Sequence, residues 1–403
     1  MEGWAKAADY MSIWYYVANY TNFLIPHPSF HDMEKNIRCF AKNKPFSIFV
    51  QGDCDTGDNG DFVQMRIWIL SKLLWNPELD VNKLINEFLE GYYGAEASVS
   101  IRKYLDMITV AGAKAKITIT GNEYNTSKWL NSEKINEAMG LMETALHEAE
   151  TSSDPNHAKR VLRSKLSIDY AFLLYPGNEK AKQMPIVSKY SKKQTVREFC
   201  SKTINKTKSY KIRNYREAMN FSMLEYILKR RYGLHKIPKE SIPEFCRDLS
   251  SDEYFILDSD AISGFWLNSV SFRVEDNKSS TGKALKTKGN HDSWTFQFRI
   301  PPGLFEEGNN YRVYISARCE GIATCGSAFS CGVYDPSGYR DSSIKTRSIV
   351  HSFPVKNNIG QPYKLYDLGT HKLLPKDIIW AGPSSNNGVS WVFVDRFIVV
   401  KEK

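Results

Sequence analysis

The sequence predicts a multidomain chain that runs from α/β through all-α to all-β. Three observations predict it. Strand-like and helix-like runs alternate over residues 1–77, and helical periodicity then fills residues 78–240. Period-two alternation takes over in residues 250–403, with turn residues roughly every 8–12 positions. At 403 residues, 42% hydrophobic and 25% charged, the composition is that of an ordinary globular protein. It excludes wholesale disorder, collagen-like repeats and a disulfide miniprotein. No window approaches the ~18 uncharged apolar residues of a membrane-spanning helix. The start, MEGWAKAADYMSIWYY, lacks the pattern of a signal peptide.

In residues 1–77, MSIWYYVANY is rich in aromatic and β-branched residues, as a buried strand requires. The two prolines of LIPHPSF make a loop, and HDMEKNIRCFAKN is a helix that Pro45 closes. FSIFVQG is a second buried strand, followed by the loop GDCDTGDNGD. FVQMRIWILSKLLW is a helix apolar on nearly every side, expected between layers rather than at a surface, with Asp61 as its N-cap. Strand, helix, strand, helix implies a parallel arrangement. Two strands are too few for a stable parallel sheet, both of whose faces need covering, so this block reads as incomplete.

In residues 78–240, Asp80 is the expected N-cap of VNKLINEFLEG, and Gly91 sits where a C-cap glycine belongs. Helical spacing returns at ASVSIRKYLDMI, SEKINEAMGLMETALHEAE, HAKRVLRSKLSIDYAFLLY, QTVREFCSKTI and NYREAMNFSMLEYILKRRYG. The net charge of +9 is concentrated here: residues 159–240 hold 21 Lys and Arg against 6 Asp and Glu. No nucleic-acid motif accompanies the surplus. Its lysines alternate with apolar residues as on a solvated helix face, so no nucleic-acid partner is expected.

In residues 250–403, SWTFQFRI, NYRVYISARC, YKLYDLG and VSWVFVDRFIVV are strands, separated by PPG, DPSG and PSSNNG turns. About eight such strands make an antiparallel sandwich or jelly roll. The seven cysteines form no CxxC pair and no zinc ladder. Cys319, Cys325 and Cys331 recur in the β region, where buried free thiols are the commoner outcome and one disulfide remains open.

Within residues 13–106 a longer pattern runs Trp14-Tyr15-Tyr16-x-x-Asn19-Tyr20-x-Asn22-Phe23, then Pro26-x-Pro28 and Phe49-x-Gln51-Gly52. It continues through Leu73-Leu74-Trp75-Asn76-Pro77, Asp80 and Phe88-Leu89-x-Gly91-Tyr92-Tyr93-Gly94. In order and spacing this resembles the bacterial family called domain of unknown function 4838, of polysaccharide-degrading gut bacteria. The resemblance implies the C-terminal part of a (β/α)₈ TIM barrel plus a helical extension, related to α-glucuronidase and β-hexosaminidase barrels. MSIWYYVANY and FSIFVQG then correspond to the seventh and eighth barrel strands. Sites in such barrels lie at the C-terminal ends of strands. That implies substrate-binding roles for Trp14, Tyr15, Tyr16, Asn19, Asn22, Gln51, Asp53 and Asp55. Aromatic faces stack on sugar C–H surfaces, and Asn and Gln both donate to and accept from hydroxyl groups. Many members carry Asp where this chain has Tyr15, a departure on the implied substrate side.

Glycoside hydrolysis ordinarily needs two carboxylates roughly 5–10 Å apart. The general acid of these relatives comes from an earlier strand that this chain does not contain. Only Asp53, Asp55, Asp58 and Asp61 remain, so no catalytic residue is assigned and a missing N-terminal barrel fragment is an implied partner. DCDTGDNGDFVQ is not an EF-hand, because Asp58 occupies the glycine position and Gln64 the bidentate Glu position. A looser metal or sugar-hydroxyl site and a solvated turn both stay open there. His27 and His31 have zinc-pair spacing, but Pro28 between them argues against the helix it needs.

The C-terminal block, through Ser280-Thr281-Gly282-Lys283-Ala284, Tyr311-x-Val313-Tyr314 and Val394-Asp395-Arg396-Phe397-Ile398, resembles galactose-binding-like carbohydrate-binding modules. That likeness implies a structural calcium, with Glu275, Asp276 and Asp395 as candidate metal ligands, and no other cofactor. Trp266, Trp294, Tyr339, Trp380 and Trp391 are the aromatics available for a stacking platform. Two functions follow as alternatives. One is a glycoside hydrolase-like protein, or its C-terminal remnant, acting on an oligo- or polysaccharide. The other is a non-catalytic carbohydrate-binding or cell-surface protein using the sandwich. Relatives of either kind are expected in the periplasm, at the cell surface or secreted.

Overall fold

The computed structural model describes residues 1–403 apart from 54–59, 116–122, 217–218, 251, 265–268, 292–294, 302–303, 307, 340–344 and 403. The chain divides into two units, residues 1–221 with 231–234 and residues 222–230 with 235–403.

The first unit opens with a short helix α1 (Glu2–Ala7), strand β1 (Ser12–Tyr16), helix α2 (Phe30–Lys42) and strand β2 (Ser47–Gln51). β1 and β2 pair in parallel, Ser12 opposite Ser47 through to Tyr16 opposite Gln51, and among the described residues they pair only with each other. Six helices follow: α3 (Val63–Trp75), α4 (Val81–Tyr93), α5 (Ala95–Lys114), α6 (Ser132–Glu150), α7 (Pro155–Leu174) and α8 (Val196–Ser209). A short hairpin, β3 (Asn214–Arg216) and β4 (Met219–Asn220), then leads into α9 (Phe221–Arg231).

Side-chain caps start four of these helices. Asp80 accepts from the Asn82 and Lys83 amides, Asn131 from Lys134, and Asp154 from Asn156 with Pro155 in the first turn. Thr195 and Glu198 close a reciprocal capping box at α8. The core gathers aromatic rings around Phe62, which stacks on Tyr104 at 5.8 Å and meets Phe30 and Tyr93 edge-on. α7 is buried along most of its second half, where Lys165 and Asp169 pair one turn apart.

Five local expectations are corrected. β1 and β2 are not buried strands, since none of their residues is buried. The helical spacing from Asn214 does not give a helix there: Asn214–Arg216 and Met219–Asn220 are strands, and α9 starts at Phe221. Gly91 does not end α4, which runs on to Tyr93; Gly94, at φ +89°, is the residue between α4 and α5. Asp61 does not cap α3: Phe62 takes that position at φ +46° with no side-chain cap bond, and Asp61 is drawn into the interior instead. α3 is not sandwiched on all sides, since Trp75 is 90% exposed and Ile67 52%.

The second unit is a two-sheet sandwich. Its strands are β5 (Tyr254–Asp258), β6 (Ser263–Gly264), β7 (Ser271–Glu275), β8 (Lys283–Lys288), β9 (Phe296–Arg299), β10 (Tyr311–Gly321), β11 (Ser327–Tyr334), β12 (Ile349–Pro354), β13 (Lys364–His371), β14 (Ile378–Pro383) and β15 (Val389–Lys401). One sheet is ordered β13-β10-β15-β8-β7, with β5 also on β15; the other is ordered β12-β11-β14-β9-β6. The strand pairs are antiparallel throughout.

β15 organises the first sheet. One edge pairs along nearly all of β10, while the other is shared, Trp391–Val394 with β8 and Arg396–Val400 with β5. Inward residues of both sheets, among them Val313, Ile315, Phe329, Ile379, Val392 and Val394, are buried and form the core. Cys319 and Cys331 lie in that core as free thiols, pushed up by burial, and Cys325 is an exposed free thiol.

Candidate functional site

Strand alternation decides what β1 and β2 offer. Trp14, Tyr16 and Phe49 share one face and are 61%, 57% and 54% exposed. The Trp14 and Tyr16 rings lie 6.0 Å apart and within 19° of parallel. Phe49, across the register from Trp14, meets it edge-on at 4.8 Å. Gln51 completes the face: its Oε1 accepts from the Trp14 indole N–H at 2.8 Å. Tyr20 stands edge-on to Tyr16 and donates its hydroxyl to the Gln51 and Gly52 carbonyls.

Tyr15 points the other way. Its ring packs edge-on against Phe40 of α2 and its hydroxyl accepts from Asn36 at 3.0 Å, while burial pushes its pKa up. One step along a strand changes the face, so Tyr15, expected from the sequence beside Trp14 and Tyr16, lies against α2 instead. Asn19 and Asn22 make their hydrogen bonds within the protein. Asn19 donates to the Glu123 carbonyl and accepts from the Thr21 and Asn22 amides. Asn22 donates to the Tyr124 carbonyl and accepts from Leu24. Both are buried, and their hydrogen-bonding capacity holds the loop after β1 in place.

Beyond β2, Asp53 accepts from the Gly60 amide at 2.9 Å. Asp55 and Asp58 lie outside the described residues. Asp53, Asp61, His27 and Arg66 line a cavity at the strand ends with room for about one water, ~20 Å³. Burial pushes the Asp61 carboxyl up, opposed by Arg66 3.7 Å away. Burial also drives His27 down to about 3, so its imidazole is neutral. His31 sits on α2 rather than with His27 in one helical turn, as Pro28 implied. The residue that the sequence pattern passed over is Arg66. The signal was there, a lone arginine at a core position of an otherwise apolar helix.

In the sandwich, the three candidate metal ligands are placed separately. Glu275 is exposed at the end of β7, opposite Lys283. Asp276 accepts from Arg318 at 2.8 Å and from the Tyr363 hydroxyl at 2.8 Å. Burial alone would raise the Asp276 carboxyl, but these bonds hold it below the usual carboxylate range. Asp395 accepts from Ser280 and Ser316 and lies 3.4 Å from Arg396. Among the described residues no three Asp, Glu, His or Cys side chains gather to hold a metal ion. The aspartates are occupied by protein donors. Trp391 lies on the outer face of the first sheet and Trp380 on β14. Trp266, Trp294 and the side chain of Tyr339 fall outside the described residues.

Residues 1–106 match the family described as Domain of unknown function (DUF4838). No curated protein matches the chain. Among solved structures, the family GH115 4-O-methyl-α-glucuronidase BtGH115A, with specificity for decorated arabinogalactans, is similar over 97% of this chain and 55% of its own. That similarity has 10% identity and a TM-score of 0.32. The CBM22-1 xylan-binding domain from Paenibacillus barcinonensis Xyn10C is similar over 37% of this chain and 94% of its own, at 9% identity and TM-score 0.28. The family 35 carbohydrate-binding module from Clostridium thermocellum is similar over 36% and 97%, at 14% identity and TM-score 0.25. The chain thus spans about half the length of the GH115 enzyme, and 26% of the CBM22-1 and GH10 modules of a Clostridium thermocellum xylanase.

Proposed function

We propose that this chain recognises an oligo- or polysaccharide, as the C-terminal part of a glycoside hydrolase-like protein of polysaccharide metabolism. In this reading β1 and β2 are the last two strands of a (β/α)₈ barrel, with α2 as the crossover between them. The open face of the pair is then the barrel interior. Tyr16 and Gln51 belong to the layer at the mouth and Trp14 and Phe49 to the layer below it.

The observation that carries the reading is the Trp14–Tyr16 pair, two exposed and nearly parallel rings on one strand face. Such rings offer flat apolar surface to the C–H face of a pyranose. Beside them Gln51 offers an amide N–H₂ to a sugar's hydroxyl groups, and Asp53, two residues past the end of β2, is the second polar group of the reading. No catalytic role is assigned. The parallel pair with one uncovered face also supports a strand-bearing barrel fragment as a partner, because parallel strands are ordinarily covered on both sides.

The test is a glycan array probed with the whole chain and with Trp14→Ala/Tyr16→Ala. Binding by the parent that the double variant loses supports the reading. Binding that survives the double variant unchanged removes β1 from it, and no binding to any glycan rejects it.

A further inference from the structure

The outer face of the six-stranded sheet carries two rows of side chains. Phe272, Lys286, Phe393 and Arg318 are successive register partners on β7, β8, β15 and β10. Lys288, Trp391 and Glu320 form the adjacent row. Val392 and Val394, between these positions on β15, are fully buried on the opposite side.

The two central cations of this face are in different states. Arg318 lies 3.6 Å from the Phe393 ring centre and is ion-paired with both Asp276 and Glu320. Its charge is compensated inside the protein. Lys286 lies 4.2 Å from the Trp391 ring centre, 5.9 Å from Phe393 and 6.0 Å from Phe272. It has no carboxylate and no hydrogen-bond acceptor among the described residues. The rings hold its stem and attract its charge, yet its N–H bonds have no acceptor among the described residues. The Trp391 indole N–H and the exposed Lys288 ammonium beside it likewise have no acceptor among the described residues. Three donor groups, two of them cationic, therefore share one patch of sheet with an aromatic ring, and the carboxylate of that patch, Glu320, is held by Arg318.

We propose that this face binds an acidic sugar, with a uronate carboxylate on Lys286 and Lys288 and the sugar ring against Trp391. The carboxylate supplies the charge that these lysines lack. Glu320, held by Arg318, is placed to accept from a neighbouring hydroxyl. A neutral sugar would leave both ammonium groups without a counter-charge, so the face selects for acid rather than for sugars in general. The proposal rests on the carbohydrate reading above but uses residues of the other unit.

Titration calorimetry of the whole chain with polygalacturonate and with glucuronoxylan tests it, each beside its carboxyl-reduced form. The parent is expected to bind at least one acidic polymer. Lys286→Met, which keeps the apolar stem over the rings, should weaken that binding about tenfold or more, as loss of a charge-assisted contact does. Carboxyl reduction should weaken it similarly. Thermal melts of Lys286→Met and of the milder Lys286→Gln check that the sandwich is intact. Equal affinity for the carboxyl-reduced polymers, or no effect of either Lys286 variant, overturns the acidic site while leaving carbohydrate recognition standing. Failure to bind both acidic polymers also overturns it. Neutral-glycan binding lost in Trp14→Ala/Tyr16→Ala would then show that the earlier reading survives alone.

Discussion

Asp61 and Arg66 stand 3.7 Å apart, 6% and 4% exposed, and between them they tie down the loop that follows β1. Asp61 accepts from the His27 amide at 3.0 Å. Arg66 donates to the Ser29 hydroxyl at 2.7 Å and to the His27 carbonyl at 3.1 Å, with its guanidinium 4.2 Å from the Phe30 ring centre. Removing one partner leaves a buried charge without its counter-charge, which costs about 3–5 kcal/mol. Arg66→Met is therefore expected to destabilise the first unit by roughly that amount in urea unfolding. Asp61→Leu/Arg66→Met should recover a large part of the loss, since neither charge then remains. A double variant as unstable as the single one would count against the pairing.

The neutral, buried His27 makes stability depend on pH. Its folded pKa of about 3 lies below the unfolded value of about 6.5, so between these pH values the unfolded chain binds the extra proton. Stability from this group is complete above about pH 6.5 and falls by roughly 1.4 kcal/mol for each unit below it. His235, driven down to about 4 mainly by burial, acts in the same direction in the second unit. Chemical denaturation from pH 7 to pH 4.5 should show the decline, and His27→Gln should flatten it for the first unit. An unchanged slope in that variant would place the acid sensitivity elsewhere.

Two glycines three residues apart should respond to alanine with opposite signs. Gly91 is exposed within α4, and a Cβ there would meet nothing within 4 Å. Gly91→Ala should stabilise by about 0.5–1 kcal/mol, the usual gain from replacing a helix-interior glycine. Gly94 holds φ +89°, and a Cβ there would fall 2.7 Å from the His157 ring. Gly94→Ala should destabilise by about 1–3 kcal/mol. Paired thermal melts give both values, and equal signs would be inconsistent with this helix boundary.

The Trp14 and Tyr16 rings are exposed, so truncating them removes surface rather than core. Trp14→Ala/Tyr16→Ala should change unfolding free energy by no more than about 1 kcal/mol, two surface changes of up to ~0.5 each. Binding to whichever polysaccharide the array identifies should fall at least tenfold, because each stacked ring contributes about a kcal/mol. A large stability loss instead would show that these rings are structural.

The parts of the molecule legible in the sequence are those set by neighbours a few positions apart. Asp80 announces the start of α4 because a cap bonds an amide two or three residues on. The alternation in SIWYY sets Trp14 and Tyr16 on one face and Tyr15 on the other. The same alternation, read as two faces instead of as a list of aromatic residues, separates Tyr15 from Trp14 and Tyr16.

What only the tertiary structure decided is which polar groups remain available to a ligand. Asn19 meets its partner 104 positions away, Asp276 meets Arg318 42 positions away, and Asp395 meets Ser280 115 positions away. No local pattern encodes those distances. They follow from burial, because a polar group removed from water must find a partner wherever the fold brings one. Composition and spacing alone located α4 to α8, the strands β9, β10, β13 and β15 and the resemblance carried by residues 13–106, but not the β3–β4 hairpin. Packing then consumed Asn19, Asn22, Asp276 and Asp395 inside the protein. It left Trp14, Tyr16 and Gln51 on an open strand face, and set Lys286 against Trp391 without an anion.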